Sequence, residues 1–573
     1  MHSELPAIFD EIRTITYSEL DAESDKAASL LQNAGVIAGD RVGIYLPRSI
    51  ELCIAILGAL KVGAAYVAPD TRYPQSRRDL MLQTSGARIV LTSPSSTERL
   101  QSVEAQLIDI EKRAQFDGGF QALAEPQRDS AASVLFTSGS SGTPKAIVLE
   151  HQNLVSFATN QGMPQLSTSD QVGQVSSISF DAFHFEFWSS LLAGAQVIIL
   201  PPVPELLAAD FRRQMVKFGI TAMLVPTMVV NHVVRADSEA FSSLRILGVG
   251  GDVLLPSAAK ALLDSRFDGE LINFFGPAEI TTACTAHRVT KEDADADSVP
   301  IGLPLTGVTI RIVDENLRDV AEGEPGELLV AGPGVAKGDQ DRPDLTAERF
   351  IMIDQEAGQP LRMYRTGDLA RRRPDNVLVF MGRADNQVKI RGYRVEHGEI
   401  ERALCRYEEV HDAVVIADGE GNDRRLVAFV VLEGDISVKE LRQRAELHLP
   451  DFMVPSQFIV QDHMPATAHG KRDVAALREI LAQERKPEAS QYEPTTETER
   501  YLTELWAELL NVEGIGCDED FFALGGHSLL AFRMHRRVTR DLACRVSFAD
   551  LLASSVLRDQ AQVIDSMLVS GQS

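Results

Sequence analysis

The sequence predicts a multidomain α/β protein. A large N-terminal unit of α/β layers with a β-barrel-like layer is followed by a small α+β unit and then by an all-α four-helix unit. Three observations carry this expectation: the length, an alternation of strand and helix signals, and two later changes of texture. The chain has 573 residues, too many for one core when domains run roughly 100 to 200 residues. From residue 17 to about 90, helical periodicity alternates with short apolar runs such as Arg41-Val42-Gly43-Ile44-Tyr45-Leu46, and further runs lie at 197–200, 223–225 and 246–249. Such alternation argues for layers around largely parallel sheets. Between 323 and 380 the segments turn β-rich and are punctuated by Gly and Pro, which suggests a separate β layer. A boundary is expected at Gly382-Arg383-Ala384-Asp385, dividing 1–384 from 385–481. The second stretch reads as a strand pair, a helix over 397–407, strands at 413–416 and 426–432, and a helix over 438–448. Residues 482–495 are polar with two prolines and read as a linker. In 496–573, Thr496 and Glu499 form a capping-box pattern, and Leu502, Leu505, Trp506 and Leu509 make an apolar helical stripe.

Composition sets limits on function. Hydrophobic residues make up 44% and charged residues 24%, with 40 Gly and 26 Pro, which is ordinary globular usage. The formal charge of −26 opposes attraction to nucleic-acid backbone or anionic lipid. Neither nucleic acid nor membrane is therefore an expected partner, and any nucleotide is a small ligand in a local pocket. The opening MHSELPAIFDEI has no basic start and apolar run, and no stretch approaches the ~20 apolar residues of a spanning helix, so a cytoplasmic location is expected. Cys53, Cys284, Cys405, Cys517 and Cys544 are odd in number, scattered and free of C-x-x-C pairs. They indicate neither a disulfide framework nor a zinc site.

The strongest local signal is Thr137-Ser138-Gly139-Ser140-Ser141-Gly142-Thr143-Pro144-Lys145, set between two apolar strands. Backbone N–H groups and hydroxyls of such a loop wrap phosphates, and Lys145 adds a mobile positive charge. The glycine spacing, Ala146 after the lysine and a following strand exclude a Walker A loop. A lone Gly/Ser run is more often a surface turn. Here it is joined, in order, by TYSEL at 16–20, NFFGPAE at 273–279, GELLVAGPGVAKG at 326–338, YRTGDL at 364–369, GRADNQVKIRGYRVEHGEIE at 382–401, LPDFMVP at 449–455 and HGKRD at 469–473. Together these resemble the signatures of the adenylate-forming superfamily and, within it, nonribosomal-peptide adenylation domains. Near the C-terminus, DFFALGGHSLL at 520–530 resembles the phosphopantetheine attachment site of peptidyl carrier proteins. The resemblance covers essentially the whole chain.

It implies a large adenylation subdomain, a small C-terminal subdomain and a carrier. It also implies a reaction in which an amino-acid carboxylate attacks the α-phosphorus of ATP, releasing pyrophosphate, before the aminoacyl group passes to a phosphopantetheine thiol on Ser528. Positioning and cations dominate such displacements. By resemblance, the loop from Thr137 to Lys145 takes the phosphates, Glu279 holds Mg²⁺, Phe275 offers adenine a flat face beside Gly276, and Asp368 accepts the ribose hydroxyls with help from Arg383. Lys471 is the late catalytic lysine, Asp385 the hinge, and Gly392 belongs to the loop that lines the arm's tunnel during thiolation. Ser528 opens a helix with Leu530, Met534 and Val538 on one face, where a phosphodiester meets free N–H groups. Leu530 stands where a G-x-S-x-G hydrolase needs glycine.

For the substrate pocket the resemblance gives Asp181, Ala182, Phe185, Met223, Leu247, Val249, Phe274, Thr282 and Ala283. Asp181 would pair with an α-ammonium. Val249 and Phe274 are expected to reduce depth, so a small or medium aliphatic amino acid, valine first, is expected. His184 is expected to be a packing or lining residue. The sequence departs from the family pattern at Ala146, Phe275, Ala278 and Ala468-His469, and the family's opening helix is expected to be missing. A phosphopantetheinyl transferase would load Ser528, and a downstream condensation or tailoring enzyme would accept the thioester. The alternatives are a loader of another small carboxylic acid and a weakened domain serving as carrier scaffold.

Overall fold

The alternating apolar runs of the first 300 residues become two mainly parallel sheets. One has nine strands in the order Leu303–Pro304, Thr285–Arg288, Glu270–Phe275, Ile246–Gly250, Ala222–Pro226, Gln171–Gln174, Gln196–Ile199, Pro6–Phe9 and Thr14–Thr16. Its central pairings are parallel and its outer ones antiparallel. The other has seven strands and places Lys145–Glu150 antiparallel to Ala131–Thr137, the two strands that flank the Gly/Ser loop. A five-stranded antiparallel sheet of Thr309–Val313, Gly326–Ala331, Phe350–Ile353, Leu361–Arg372 and Leu378–Arg383 supplies the separate β layer.

This computed structural model describes residues 3–570 except 101, 118–119, 121–125, 139–143, 209, 355–358, 385–387, 391, 420–423, 434–435, 466–471, 485–493, 511, 513, 523, 525, 527, 543, 545 and 552–553. The chain divides into two compact units, Met1–Pro202 with Arg212–Glu396, and Val203–Phe211 with His397–Ser573. Residues 388–396, grouped by the sequence reading with the small domain, thus pack within the first unit. Local chemistry explains how elements begin. TYSEL is a helix start, because Thr16 and Glu19 form a reciprocal capping box at the head of Tyr17–Asn33.

In the second unit, Val410–Asp418, Arg425–Leu432 and Gln457–Val460 form a three-stranded sheet, joined by helices His397–Leu404, Val438–Glu446 and Val474–Glu484. Among the described residues, four further helices follow: Glu497–Leu510, Ser528–Asp541, Phe548–Leu551 and Leu557–Ser570. Thr496 accepts from the Glu499 backbone while Glu499 accepts from the Thr496 backbone, so the expected capping box forms. Leu502, Leu505, Trp506 and Leu509 are buried with Leu530, Met534 and Val538 in one apolar core. The Trp506 indole donates to the Met534 sulfur at 3.0 Å, and its ring meets Phe521 edge-on at 5.0 Å between centroids. No helix among the described residues is long and apolar enough to cross a membrane. All five cysteines are free thiols.

Candidate active site

The strand ends of the first unit bring together most of the residues singled out by sequence. At the start of the Gly/Ser loop, the Thr137 hydroxyl is buried and has no hydrogen-bond partner among the described residues, the kind of group a ligand would satisfy. The Ser138 hydroxyl donates to the backbone carbonyl of Arg394 at 2.7 Å. Lys145 begins the return strand, and its charge opposes the burial that raises the Asp339 carboxyl. Gly139, Ser140, Ser141, Gly142 and Thr143 lie outside the described residues.

Two buried carboxylates on this side are matched by arginines. Arg394 Nη1 lies 3.2 Å and 3.3 Å from the two oxygens of Glu279, which is 7% exposed. Burial alone would lower the Arg394 guanidinium, yet Glu279 and the Tyr364 hydroxyl beside it hold it well above its ordinary value. Arg383 Nη1 donates to Asp368 Oδ1 at 2.6 Å and its Nη2 to the Thr366 carbonyl at 3.2 Å. Asp368 is 2% exposed and is further fixed by its own N–H on the Thr366 hydroxyl. Phe275 is buried against Phe380, with ring centroids 5.8 Å apart. Glu279 offers two oxygens in a buried position, donor chemistry that suits a hard cation such as Mg²⁺.

The turn after Glu279 is strained. Thr281 and Thr282 have φ of 55° and 77°, in the left-handed region where β-branched residues are outliers. Their hydroxyls hold the turn, Thr281 donating to the Gly334 carbonyl at 2.8 Å and Thr282 to the Asp181 carbonyl at 2.7 Å. The buried His184 reaches the Thr282 hydroxyl with Nδ1 at 3.2 Å. Burial pushes that imidazole down to about 3, so it is a neutral lining group. Asp181 is half-buried and forms no ion pair among the described residues. Enclosure pushes its carboxyl up to about 7, the Glu279 charge adding to the effect and Lys389 opposing it.

The expected pocket set is only partly assembled. Ala182, Phe185, Phe274 and Ala283 share one apolar cluster with Leu224, and the Phe185 and Phe274 rings are 6.1 Å apart. Met223, Leu247 and Val249 lie on the opposite face of the sheet. The register pairs Met223 with Leu247, Val225 with Val249 and Leu224 with Gly248, and side chains alternate along a strand. All three residues are 0% exposed in that other layer. The positions facing Phe274 are therefore Leu224, Gly248 and Gly250, one residue on from each expected position. A Cβ at Gly248 would lie 2.7 Å from the Phe274 ring and 3.2 Å from Leu224, so the missing side chain there is what lets the ring cross the strand. Period-two counting from the Gly250-Gly251 pair would have found this face. Arg394 was also missed, although it lies inside the motif at 382–401, two residues after Gly392.

Asp385 and Lys471 lie outside the described residues. Ser528 begins its helix as expected, a place where phosphate charge meets exposed N–H groups. Two residues before it, a Cβ at Gly526 would come within 2.2 Å of the Phe521 ring, so the approach to the helix requires glycine.

Against known proteins, residues 1–338 match the AMP-binding enzyme family, 399–471 its C-terminal domain, and 500–564 the phosphopantetheine attachment site. The chain is similar to tyrocidine synthase 1 of Brevibacillus parabrevis, with 36% identity over 572 residues, 98% of this chain and 51% of that protein. Gramicidin S synthase 2 of Aneurinibacillus migulanus is 35% identical over 560 residues, 96% of this chain and 12% of that one. Malpibaldin synthetase of Mortierella alpina is 37% identical over 565 residues, 96% and 10%. The chain thus spans about a tenth of the length of these last two relatives. Among solved structures, the holo form of an NRPS protein containing adenylation and PCP domains, bound to a vinylsulfonamide inhibitor, aligns over 99% of this chain and 95% of its own. Its TM-score is 0.83 at 27% identity. An artificially fused adenylation-PCP di-domain from Klebsiella oxytoca aligns over 90% and 95%, with TM-score 0.73 at 27% identity.

Proposed function

The chain belongs to the AMP-binding enzyme family and carries a phosphopantetheine attachment site, and from that premise we propose that it activates an aliphatic amino acid with ATP and loads it on Ser528. The observation that carries this reading is Asp181, a half-buried carboxylate at the edge of an apolar cluster with no ion pair among the described residues. A buried carboxylate needs a counter-charge, and the α-ammonium of an amino acid supplies one.

Side-chain selection follows from Phe185, Phe274 and Leu224, which offer no charge to a charged substrate. Phe274, lying across Gly248, limits depth. Val249 no longer contributes to that argument, since it faces away. A small or medium aliphatic side chain fits, and valine is the first candidate. One methylene is worth only ~1–3 kcal/mol in such a pocket.

On the nucleotide side, the Thr137 and Ser138 hydroxyls and Lys145 orient the phosphates, Phe275 and Gly276 receive the adenine, and Asp368 fixes the ribose with Arg383 holding its carboxylate in place. Mg²⁺ bound at Glu279 would neutralise phosphate charge as pyrophosphate leaves. Lys471 is assigned the charge between the substrate carboxylate and the α-phosphate, and Asp385 the hinge that withdraws it before the Gly392 loop lines the arm's path. A phosphopantetheinyl transferase and a downstream condensation or tailoring enzyme are the partners this scheme requires, and the reaction is assigned to the cytoplasm.

Pyrophosphate exchange against a panel of amino and other carboxylic acids tests the reading. Exchange driven by valine or a close aliphatic neighbour is the expected result. Exchange only with acids lacking the amino group would replace it with acid loading, and none at all with the scaffold reading. Ser528→Ala should keep exchange while mass spectrometry finds no phosphopantetheine adduct.

A further inference from the structure

The hairpin of Val388–Ile390 and Tyr393–Val395 touches three groups assigned above to the nucleotide. Lys389 Nζ stands 5.5 Å from the centroid of the Phe275 ring, the face offered to adenine. The Arg394 carbonyl takes the Ser138 hydroxyl. The Arg394 guanidinium approaches both oxygens of Glu279, the carboxylate assigned to the divalent cation. The hairpin is anchored alongside, its Tyr393 ring 4.6 Å from Phe180, next to Asp181 in sequence.

We infer that Arg394 takes the place of the divalent cation at Glu279, so that seating of this hairpin and metal binding are competing states of one carboxylate. The inference rests on Glu279 as the metal residue and adds to it the group that replaces the metal. Glu279 is too buried to stand unpaired at no cost. With no cation at Glu279, Arg394 would restore the charge balance and hold the hairpin beside the place that pyrophosphate has left, the adenylate half of the nucleotide staying bound. The exchange is exclusive for electrostatic and steric reasons. A guanidinium within about 3.3 Å of both oxygens fills the side from which a cation would coordinate, and the two positive charges repel at that range. Arg394 is a positioning residue in this scheme, since it acts on the hairpin and the carboxylate and not on the reacting atoms.

The test measures how tightly the full-length protein holds Mn²⁺ with the non-cleavable α,β-methylene analogue of ATP, with free Mn²⁺ followed by electron paramagnetic resonance. Affinity for the metal-free analogue is measured alongside. A binding-competent state that is only partly populated weakens apparent affinity by that fraction. Arg394→Met should therefore tighten the metal-dependent part about tenfold, while Arg394→Lys, which keeps a cation, should stay near wild type. Arg394→Gln serves the same purpose as the methionine variant if that one folds poorly. Arg394→Met and Arg394→Gln both binding as wild type, with Glu279→Gln losing the metal-dependent part, would overturn the exchange and leave Glu279 as the metal residue. Glu279→Gln binding Mn²⁺ as wild type does would overturn both.

Discussion

On the proposed nucleotide side of the site, Glu279 and Asp368 each meet an arginine, whereas Asp181 on the proposed substrate side meets no cation among the described residues. Glu279 and Asp368 are closed to water and Asp181 is half-buried, so a charge left without a partner is costly on either side. The contrast shows where the protein completes its own charge balance and where it leaves that to a ligand. A carboxylate paired with an arginine is a fixed part of the scaffold. At Asp181 burial pushes the carboxyl up to about 7, and this group gains most from an incoming ammonium.

The comparison is broken most severely at Asp181. Asp181→Ala should lower amino-acid-dependent pyrophosphate exchange roughly 10²- to 10³-fold, because the substrate's ammonium would be buried alone; the affinity for ATP should stay unchanged, and equal losses for both substrates would end the distinction. On the paired side, Arg383→Met leaves the Asp368 charge enclosed without its partner. It should cost about 3 kcal/mol in denaturant unfolding and raise the KM for ATP while sparing that for the amino acid.

A smaller effect separates the two faces of the substrate-side sheet. Leu247→Ala should destabilise by about 2–3 kcal/mol without reordering the preferred amino acids. Gly248→Ala must displace the Phe274 ring, costs about 1–2 kcal/mol, and should reorder them. The reverse pattern in a substrate panel would restore Leu247 to the pocket.

The smallest effect is on pH dependence. In the ligand-free protein the Asp181 carboxyl titrates near 7, and only its ionised form pairs with an ammonium. Amino-acid affinity measured by calorimetry should thus be level above about pH 7 and fall about tenfold per unit below it. Stability shows the opposite slope. Between the carboxylate's ordinary range and about 7, the folded state holds a proton that the unfolded chain has released, so this group makes the fold less stable as pH rises through that window. Glu186, which burial also raises to about 7 against hydrogen bonds from Gln174 and Ser176, adds a slope of the same sign. The difference between wild type and Asp181→Asn isolates the Asp181 share.

The fold was legible because its signals are local. Alternating apolar runs gave the parallel sheets, Gly- and Pro-broken segments the antiparallel layer, and Thr496 with Glu499 a helix start that forms as read. For the site, the resemblance pointed to Asp181, Glu279 and Asp368, of which the structure buries Glu279 and Asp368 and half-buries Asp181, while their roles belong to the proposal above. It was not legible where neighbours decide the face. Met223, Leu247 and Val249 are as apolar as any lining residue, and a one-residue slip along a strand reverses which side they serve. The register against Phe274 comes from strand pairing, which no single segment encodes. Arg394 escaped for a related reason, since its partner Glu279 lies 115 positions away in sequence.

The core of the C-terminal helices has one more use. The chain has two tryptophans, Trp188 among the strand and helix layers of the first unit and Trp506 against Phe521 and Met534 in the second. Each reports through its own emission. Trp506 is fully buried beside the Met534 thioether, so melting of the carrier segment should shift its emission to longer wavelength as water reaches the indole, while loss of the larger unit shifts the Trp188 signal independently. With Trp188→Phe the carrier holds the remaining tryptophan, and with excitation beyond the tyrosine band its unfolding and refolding can be timed inside the intact chain without any attached dye.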